Sequence, residues 1–392
     1  MSGIHIARHG TIAHPHTADN PGTIDPIDHR PNDGSGVWPD SSNTGYLNEP
    51  NWPGSFTGGI IGSSFTGYTD YSPADGTTIS YAHFKGKIGI ASNGGDNITF
   101  VGCLFESELG GGTGDWCCYM YANTKVTFKY CTWKPSAFST PPGYVSGASA
   151  STTNANSVAY GNGHANSYEG PITSASNTDT GQGGNAQIIM DRCEWWGCGG
   201  GCQFGGGNVD AAHPHTFTNN YIHDYADPWG LSGVANTYHH DGIGPDSDGG
   251  HGYVYIDHNT IASMGNTNAI ALQGAGYHNI TVTNNYISGW GLQLSIGASG
   301  ASADDVDCII TDNITSGEII SVGDSSYQGI GLGGNGAAGP NYDNNIPGTA
   351  AGNTWRRNRW QVRSGDPDYN LADHGKYWWP TDESAHVTDY TG

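Results

Sequence analysis

Val254-Tyr255-Ile256-Asp257-His258-Asn259-Thr260-Ile261 and Ile280-Thr281-Val282-Thr283-Asn284-Asn285-Tyr286-Ile287 follow one pattern. Counted from the first residue, apolar side chains stand at positions 0 and 2, Asn at position 5 and a large apolar residue at position 7. The frame recurs upstream as Ile98, Phe100, Cys103, Phe105, as Val126, Phe128, Cys131, Trp133, and as Ile188, Met190, Cys193, Trp195. Shorter versions read Phe217, Asn220, Ile222; Cys308, Ile310, Asn313; and Trp355, Asn358, Trp360, and Ile79, Tyr81, Phe84 resembles an earlier copy. Apolar residues two apart face one side of a strand, and a turn before position 7 returns the next apolar residue to the same core. The closest copies start 26 to 28 residues apart, the spacing of a supersecondary unit stacked on its neighbour. The expected fold is all-β: a right-handed parallel β-helix with irregular caps at both ends. Apolar runs such as Ala269-Ile270-Ala271-Leu272 and Leu292-Gln293-Leu294-Ser295-Ile296 fit the second strand of each coil.

Position 5 alternates between Cys and Asn, and stacking explains both. Strands repeat at about 4.8 Å, so buried Asn amides can hydrogen-bond to each other and to turn backbone at about 1 kcal/mol per bond. Cys fills the same slot as a small buried hydrophobe. Cys103, Cys131, Cys193 and Cys308 are therefore expected to be structural thiols. Cys117, Cys118, Cys198 and Cys202 lack paired metal-site spacing, which leaves a local disulfide open among them.

Composition agrees. The 392 residues include 63 Gly and only 12% charged residues, suited to short strands and tight turns and not to long helices. With 13 Lys+Arg against 36 Asp+Glu, the formal charge of −23 disfavours nucleic acid and anionic bilayers as partners. The basic group Arg356, Arg357, Arg359 and Arg363 is read as local ion pairing with Asp. Residues 1–9 lack an apolar stretch of signal-peptide length, and no segment approaches a membrane span. The expectation is synthesis in a cytoplasm followed by work outside cells after release by lysis, as of a virion component.

Residues 1–55 lack the repeat and are assigned to an irregular N-terminal cap or attachment segment. The solenoid occupies 56–363 with a long insertion at about 135–184, and 364–392 form a C-terminal cap. Within the first segment, Val37-Trp38-Pro39-Asp40-Ser41-Ser42-Asn43-Thr44-Gly45 resembles the F/W-P-D-x-S-N-T-G signature of right-handed β-helix proteins from actinobacteria and their tailed phages. Asn353-Thr354-Trp355-Arg356-Arg357-Asn358-Arg359-Trp360 is similar to the closing coil of that group. The chain departs from the signature by continuing Tyr46-Leu47-Asn48 where Val-Pro is usual. The resemblance implies a minor tail or tailspike-like component that recognises a cell-surface polysaccharide. Its expected partners are other phage tail proteins, and its expected assembly is a homotrimer.

The densest polar stretch is Tyr238 to His251. His239, His240, Asp241, Asp246, Asp248 and His251 supply the acid, base and charge-neutralising groups that glycoside cleavage requires, and are the candidate catalytic residues. His223, Asp224, Asp227, Trp229 and Tyr238 are the candidate substrate contacts, because an aromatic ring offers a flat apolar face beside a polar tip. A polysaccharide lyase or glycoside hydrolase is thus the alternative to a pure binding protein. Asp-Gly and Gly-His pairs also make turns, and turn chemistry alone accounts for most of these residues. No resident cofactor or metal is assigned, although the Asp246/Asp248 pair has the oxygen chemistry of a Ca²⁺ ligand.

Overall fold

The computed structural model describes residues 23–24, 38–64, 67–90, 96–107, 116–120, 125–136, 144–145, 170–173, 187–196, 201–204, 209–223, 242–245, 252–262, 268–273, 278–288, 292–297, 307–316, 330–332, 354–356, 359–363 and 387–390. Its strands form a parallel β-helix with three sheets. Sheet A stacks Thr78–Ser80, Ile98–Val101, Lys125–Lys129, Gln187–Asp191, His215–Thr218, Gly252–Asp257, His278–Thr283, Ile309–Thr311 and Thr354–Arg356. Sheet B stacks Ile60–Ile61, His83–Lys85, Leu104–Ser107, Thr132–Pro135, Glu194–Trp196, Tyr221–His223, Thr260–Ala262, Tyr286–Ser288, Ile314–Ser316, Arg359–Arg363 and Val387–Tyr390. Sheet C stacks Tyr68–Tyr71, Lys87–Ile90, Trp116–Met120, Gly170–Thr173, Cys202–Phe204, Ile243–Pro245, Asn268–Gln273, Leu292–Gly297 and Ile330–Leu332. The chain visits A, B and C in turn, and every copy of the frame pairs in register with the next: Val254 with Ile280 and Ile256 with Val282, for example.

The frame spans two strands, not one. Position 4 adopts the left-handed conformation at Tyr81, Gly102, Tyr130, Arg192, Asn219, His258, Asn284 and Asp312, with φ between 51° and 61°. That single residue ends the sheet A strand and starts the sheet B strand, so positions 0 and 2 belong to one sheet and position 7 to the next. The apolar runs at 269–272 and 292–296 are accordingly the third strand of their coils, in sheet C. Tyr81 does not point inward with Ile79: it occupies the left-handed corner, and Ala82 takes the inward slot. The Tyr81 ring lies where a Cβ on residue 102 would sit, 2.8 Å away, which is why Gly occupies that corner.

Position 5 holds the corner closed. Asn220 Nδ2 donates to Asn259 Oδ1, Asn259 Nδ2 to Asn285 Oδ1 and Asn285 Nδ2 to Asn313 Oδ1, each at 2.9 Å. Each of the last three Oδ1 atoms also accepts the backbone N–H of the preceding Asn, and Asn220 Oδ1 accepts from Cys193 N–H. Each amide further donates to the position-2 carbonyl one coil earlier: Met190, Phe217, Ile256 and Val282 in order. Cys103, Cys131 and Cys193 direct their thiols at the equivalent carbonyls of Ile79, Phe100 and Phe128. Cys and Asn are therefore interchangeable as donors to one acceptor. Burial pushes the Cys103 and Cys131 thiols well above their ordinary value, which keeps the proton that this role needs, and does the same for Cys118 and Cys202 in sheet C. All seven described cysteines are free, Cys117, Cys118 and Cys202 among them, and Cys198 lies outside the described residues.

Aromatic side chains fill the early coils. Phe84, Phe105 and Trp133 stack at 4.7 and 4.9 Å, and Phe100 stacks on Phe128 at 5.1 Å. Later coils put Ile222, Ile261 and Ile287 at position 7. The 135–184 insertion contributes Gly170–Thr173 to sheet C, and Tyr144–Val145 pairs antiparallel with Thr23–Ile24. Val387–Tyr390 joins sheet B beside Arg359–Arg363.

Asn259→Ala removes an acceptor of two buried donors and a donor to two buried groups, and is expected to destabilise the protein by about 3 kcal/mol. Cys131→Ala loses one weak thiol bond and little volume, at about 1 kcal/mol. Urea unfolding followed by circular dichroism compares the two; equal losses would contradict the ladder's role.

Candidate functional site

Among the residues singled out for their chemistry, His223 is described. His239, His240, Asp241, Asp246, Asp248 and His251, with Asp224, Asp227, Trp229 and Tyr238, lie outside the described residues. The strand Ile243–Pro245, which lies between Asp241 and Asp246 in the sequence, runs in sheet C beside Cys202–Phe204. Gly242 has a packing reason to follow Asp241: a Cβ there would lie 2.4 Å from the Ala269 carbonyl oxygen.

Much of sheet B is buried on both faces, with His83, Lys85, Glu194 and Tyr221 partly exposed and Ile60 of the first strand open to solvent. Leu104, Thr132, Thr260, Tyr286 and Ile314 form one outward row, at position 6 of the frame, and each is at most 3% exposed. Glu106, Lys134, Trp196 and His223 form the next row, at position 8, and are likewise buried. Across this face runs a strap, residues 38–57. Trp38 stacks on His258 at 4.9 Å and packs edge-on against Tyr286, with Ile314 completing the contact. The next residues close a turn on themselves: Asp40 Oδ1 accepts from Ser42 N–H, Asn43 Oδ1 from Asp40 N–H, and Thr44 Oγ1 donates to the Asp40 carbonyl. Gly45 N–H then donates to the Arg192 carbonyl and Tyr46 N–H to Thr132 Oγ1. Trp52 packs on Tyr81, whose hydroxyl donates to Glu49, and Phe56 lies against His83. The W-P-D-S-S-N-T-G stretch is thus a fastening. Trp38 anchors it, Asp40 and Asn43 shape it, and Gly45, at φ 74°, passes where a Cβ would lie 2.5 Å from Thr132 Oγ1 and 2.7 Å from Glu194 Oε2.

Beneath the strap lies a chain of charges drawn from five coils. His83 Nε2 is 2.6 Å from Glu106 Oε2, and Lys134 Nζ donates to Glu106 Oε1. The Lys134 ammonium stands 5.7 Å over the Trp196 ring, and Trp196 faces His223 at 6.5 Å. His223 Nε2 lies 3.2 Å from Glu194 Oε1 and its ring stacks on Tyr221 at 4.0 Å. Burial raises the Glu106 carboxyl, but the hydrogen bonds and charges of His83 and Lys134 outweigh it, and the pKa settles below the usual 4.5. Burial, followed by the charges of Glu106 and Glu194, pushes the Tyr46 hydroxyl up. These groups have the makings of acid–base chemistry, yet each carboxylate is already matched within the set, so the arrangement satisfies its own buried charges beneath the strap. Glu106, Lys134 and Glu194 escape a search for local polar clusters because they are scattered over 89 residues. Superimposing copies of the frame and reading its sixth and eighth columns brings them together.

Sheet A presents the opposite case. Its strands mostly alternate between buried and partly exposed residues, as in Ile98–Val101, His215–Thr218 and Gly252–Asp257, which marks one face in the core and one toward solvent, with outward Gln187 and Thr311 as buried exceptions. The outward row at position 1 reads Thr78, Thr99, Thr127, Ile189, Thr216, Tyr255, Thr281 and Ile309, all partly or well exposed. A ladder of hydroxyls at the coil spacing, with one phenol and two Ile, runs along a flat and rigid surface. Among the described residues no group of three or more His, Cys, Asp or Glu is placed to hold a metal ion. No family model matches the chain, and no match to it is found among curated proteins or solved structures.

Gly45→Ala is expected to lift the strap, lowering stability by at least about 2 kcal/mol and exposing residues 38–57 to limited proteolysis. An unchanged cleavage pattern would show that the close approach is not required. The lowered Glu106 pKa stabilises the folded chain fully above pH 4.5, and this contribution is lost as pH falls through the lower folded value. Glu106→Gln should therefore reduce the melting temperature at neutral pH and flatten its fall below pH 4.5; a parallel shift at every pH would contradict this.

Proposed function

We propose that the chain is a tail or tailspike-like component of a phage virion that recognises a glycan on the host surface. The solenoid acts as a rigid rod, and the solvent-facing side of sheet A is its reading surface. Trimeric assembly and attachment to other tail proteins belong to the same proposal, which rests in part on the resemblance of residues 37–45 and 353–360 to phage and actinobacterial β-helix proteins.

The observation that carries the reading is the contrast between the two outer faces. Sheet B spends its outer surface on a strap and a dry ion-pair cluster, while sheet A keeps a row of hydroxyls open to solvent. Each Thr hydroxyl both donates and accepts, matching the hydroxyls of a sugar, and Tyr255 adds an aromatic face in the same row. The ladder beneath holds these groups at a fixed repeat, so binding costs little ordering. A surface of this kind suits an extended, hydroxyl-rich polymer better than a compact small molecule, which favours concave sites.

The purified chain is expected to be retained by host envelopes and by polysaccharide extracted from them, without releasing reducing ends or unsaturated products. Folded protein, judged by circular dichroism, that binds neither preparation would overturn the proposal. Product release would replace recognition by cleavage, with Asp241→Ala as the first variant to test.

A further inference from the structure

Thirteen Lys and Arg serve the whole chain, and their placement is uneven. Lys85, Lys87, Lys125, Lys129, Lys134 and Arg192 fall within 108 residues, whereas residues 193–355 carry 15 Asp+Glu and no Lys or Arg. Folding sorts them further. Lys134 is consumed by Glu106 beneath the strap. Lys125 and Lys129 instead stand on the solvent side of the strand Lys125–Lys129 in sheet A, where the burial pattern leaves Lys125 partly exposed and Lys129 exposed. Neither has an ion pair among the described residues. Tyr130 follows at the left-handed corner, and the Arg192 guanidinium of the next coil lies 5.5 Å over its ring while keeping an exposed contact of 3.3 Å with Asp191.

We infer that Lys125, Thr127, Lys129, Tyr130 and Arg192 form the point on sheet A where an acidic polysaccharide, one bearing sugar carboxylates, is bound. This rests on the glycan-recognition reading above and names the class of glycan. A protein with a net charge of −23 repels a polyanion at long range, so a cationic patch on its open face decides where such a chain makes contact. At physiological ionic strength charges are screened beyond about 8 Å, so the acids of later coils act weakly on the patch, and Asp191, in register with Lys129 and in contact with Arg192, is among the described residues the one acid set against its three cations. Lys125 and Lys129 are four residues apart on one strand, about 13 Å at the rise of an extended chain. Cations that far apart do not converge on one compact phosphate. They match negative charges spaced along a polymer crossing the coil from Lys125 past Thr127 to Lys129. The backbone N–H groups at the corner are already spent on neighbouring coils, Tyr130 on the Asp191 carbonyl and Arg192 on that of Thr218, so no anion-binding nest of amides competes. Tyr130, backed by the Arg192 guanidinium, supplies a flat surface for a sugar ring at the end of the path.

Affinity electrophoresis of the full chain through gels containing sodium polygalacturonate or neutral dextran tests the inference. The wild-type chain is expected to be retarded by polygalacturonate and not by dextran, with the effect lost at about 1 M ionic strength, where screening shortens to about 3 Å. Lys125→Ala/Lys129→Ala should weaken retardation at least tenfold with unchanged circular dichroism and melting temperature. Thr281→Ala, on the same face but four coils away, should leave it intact. Retardation that survives in the double variant, or equal retardation by dextran, overturns the acidic-glycan inference while leaving glycan recognition standing if host polysaccharide is still bound. Absence of binding to polygalacturonate and to host polysaccharide alike overturns both.

Discussion

The structure depends on one hydrogen-bonded column at the corner between sheets A and B. Each coil turns there through a single left-handed residue, and in seven of the eight described corners that residue is not glycine. The left-handed conformation costs an ordinary residue about 1–2 kcal/mol, less for Asn and Asp. The inward Asn one position later offsets it. Its amide accepts two hydrogen bonds from the coil before and donates both to the coil after and to a carbonyl behind, leaving no buried polar atom of the side chain idle. Where Cys replaces Asn, only the donor function survives, and that half of the chain is also where stacked Phe and Trp rings fill the interior. The two halves thus reach cohesion by different means, one mainly polar at the corner, the other mainly aromatic in the core.

That column makes the outer faces predictable surfaces. Because coils stack in register, every outward position becomes a row along the rod, and the two rows of sheet B and the first row of sheet A have opposite fates. In sheet B the rows hold Glu, Lys, His and Trp beside Tyr, Thr and Leu, and the strap seals them. Charges buried this way add little net stability compared with apolar packing, but they are costly to separate, which couples the neighbouring coils of sheet B to one another. In sheet A the first row holds Thr with occasional Ile and Tyr, chemistry that tolerates water and hydrogen-bonds in both directions.

The proposed function rests on which face is left open. The sequence motif most suggestive of a known group turns out, over its described residues 38–45, to fasten the strap, so those residues speak for architecture. The residues proposed to meet a ligand lie instead on sheet A, where they look unremarkable in the linear chain: threonines, two lysines and a tyrosine. Their meaning comes from scarcity of positive charge elsewhere and from the register that sets Arg192 above Tyr130.

Much of the fold was legible from residue order alone. The frame of positions 0, 2, 5 and 7 correctly named Ile98, Phe128, Cys193, Asn259 and Ile287 as core, because a side chain's inward or outward direction follows from strand periodicity. It also anticipated the stacked amides, since equal spacing brings equal residues together. Tyr81 was misplaced and the third strand of each coil miscounted, because a left-handed corner residue has no side-chain signature when Tyr, Arg, His, Asn and Asp all occupy it. The polar stretch at 238–251 attracted attention through density along the chain, yet a solenoid assembles sites from residues about one coil apart. His83, Glu106, Lys134, Glu194 and His223 met only once register was set, and whether a face was sealed or open was decided by the path of residues 38–57. Local spacing determines what points in; only the packing of distant segments determines what, among the outward residues, is left for water or a ligand to touch.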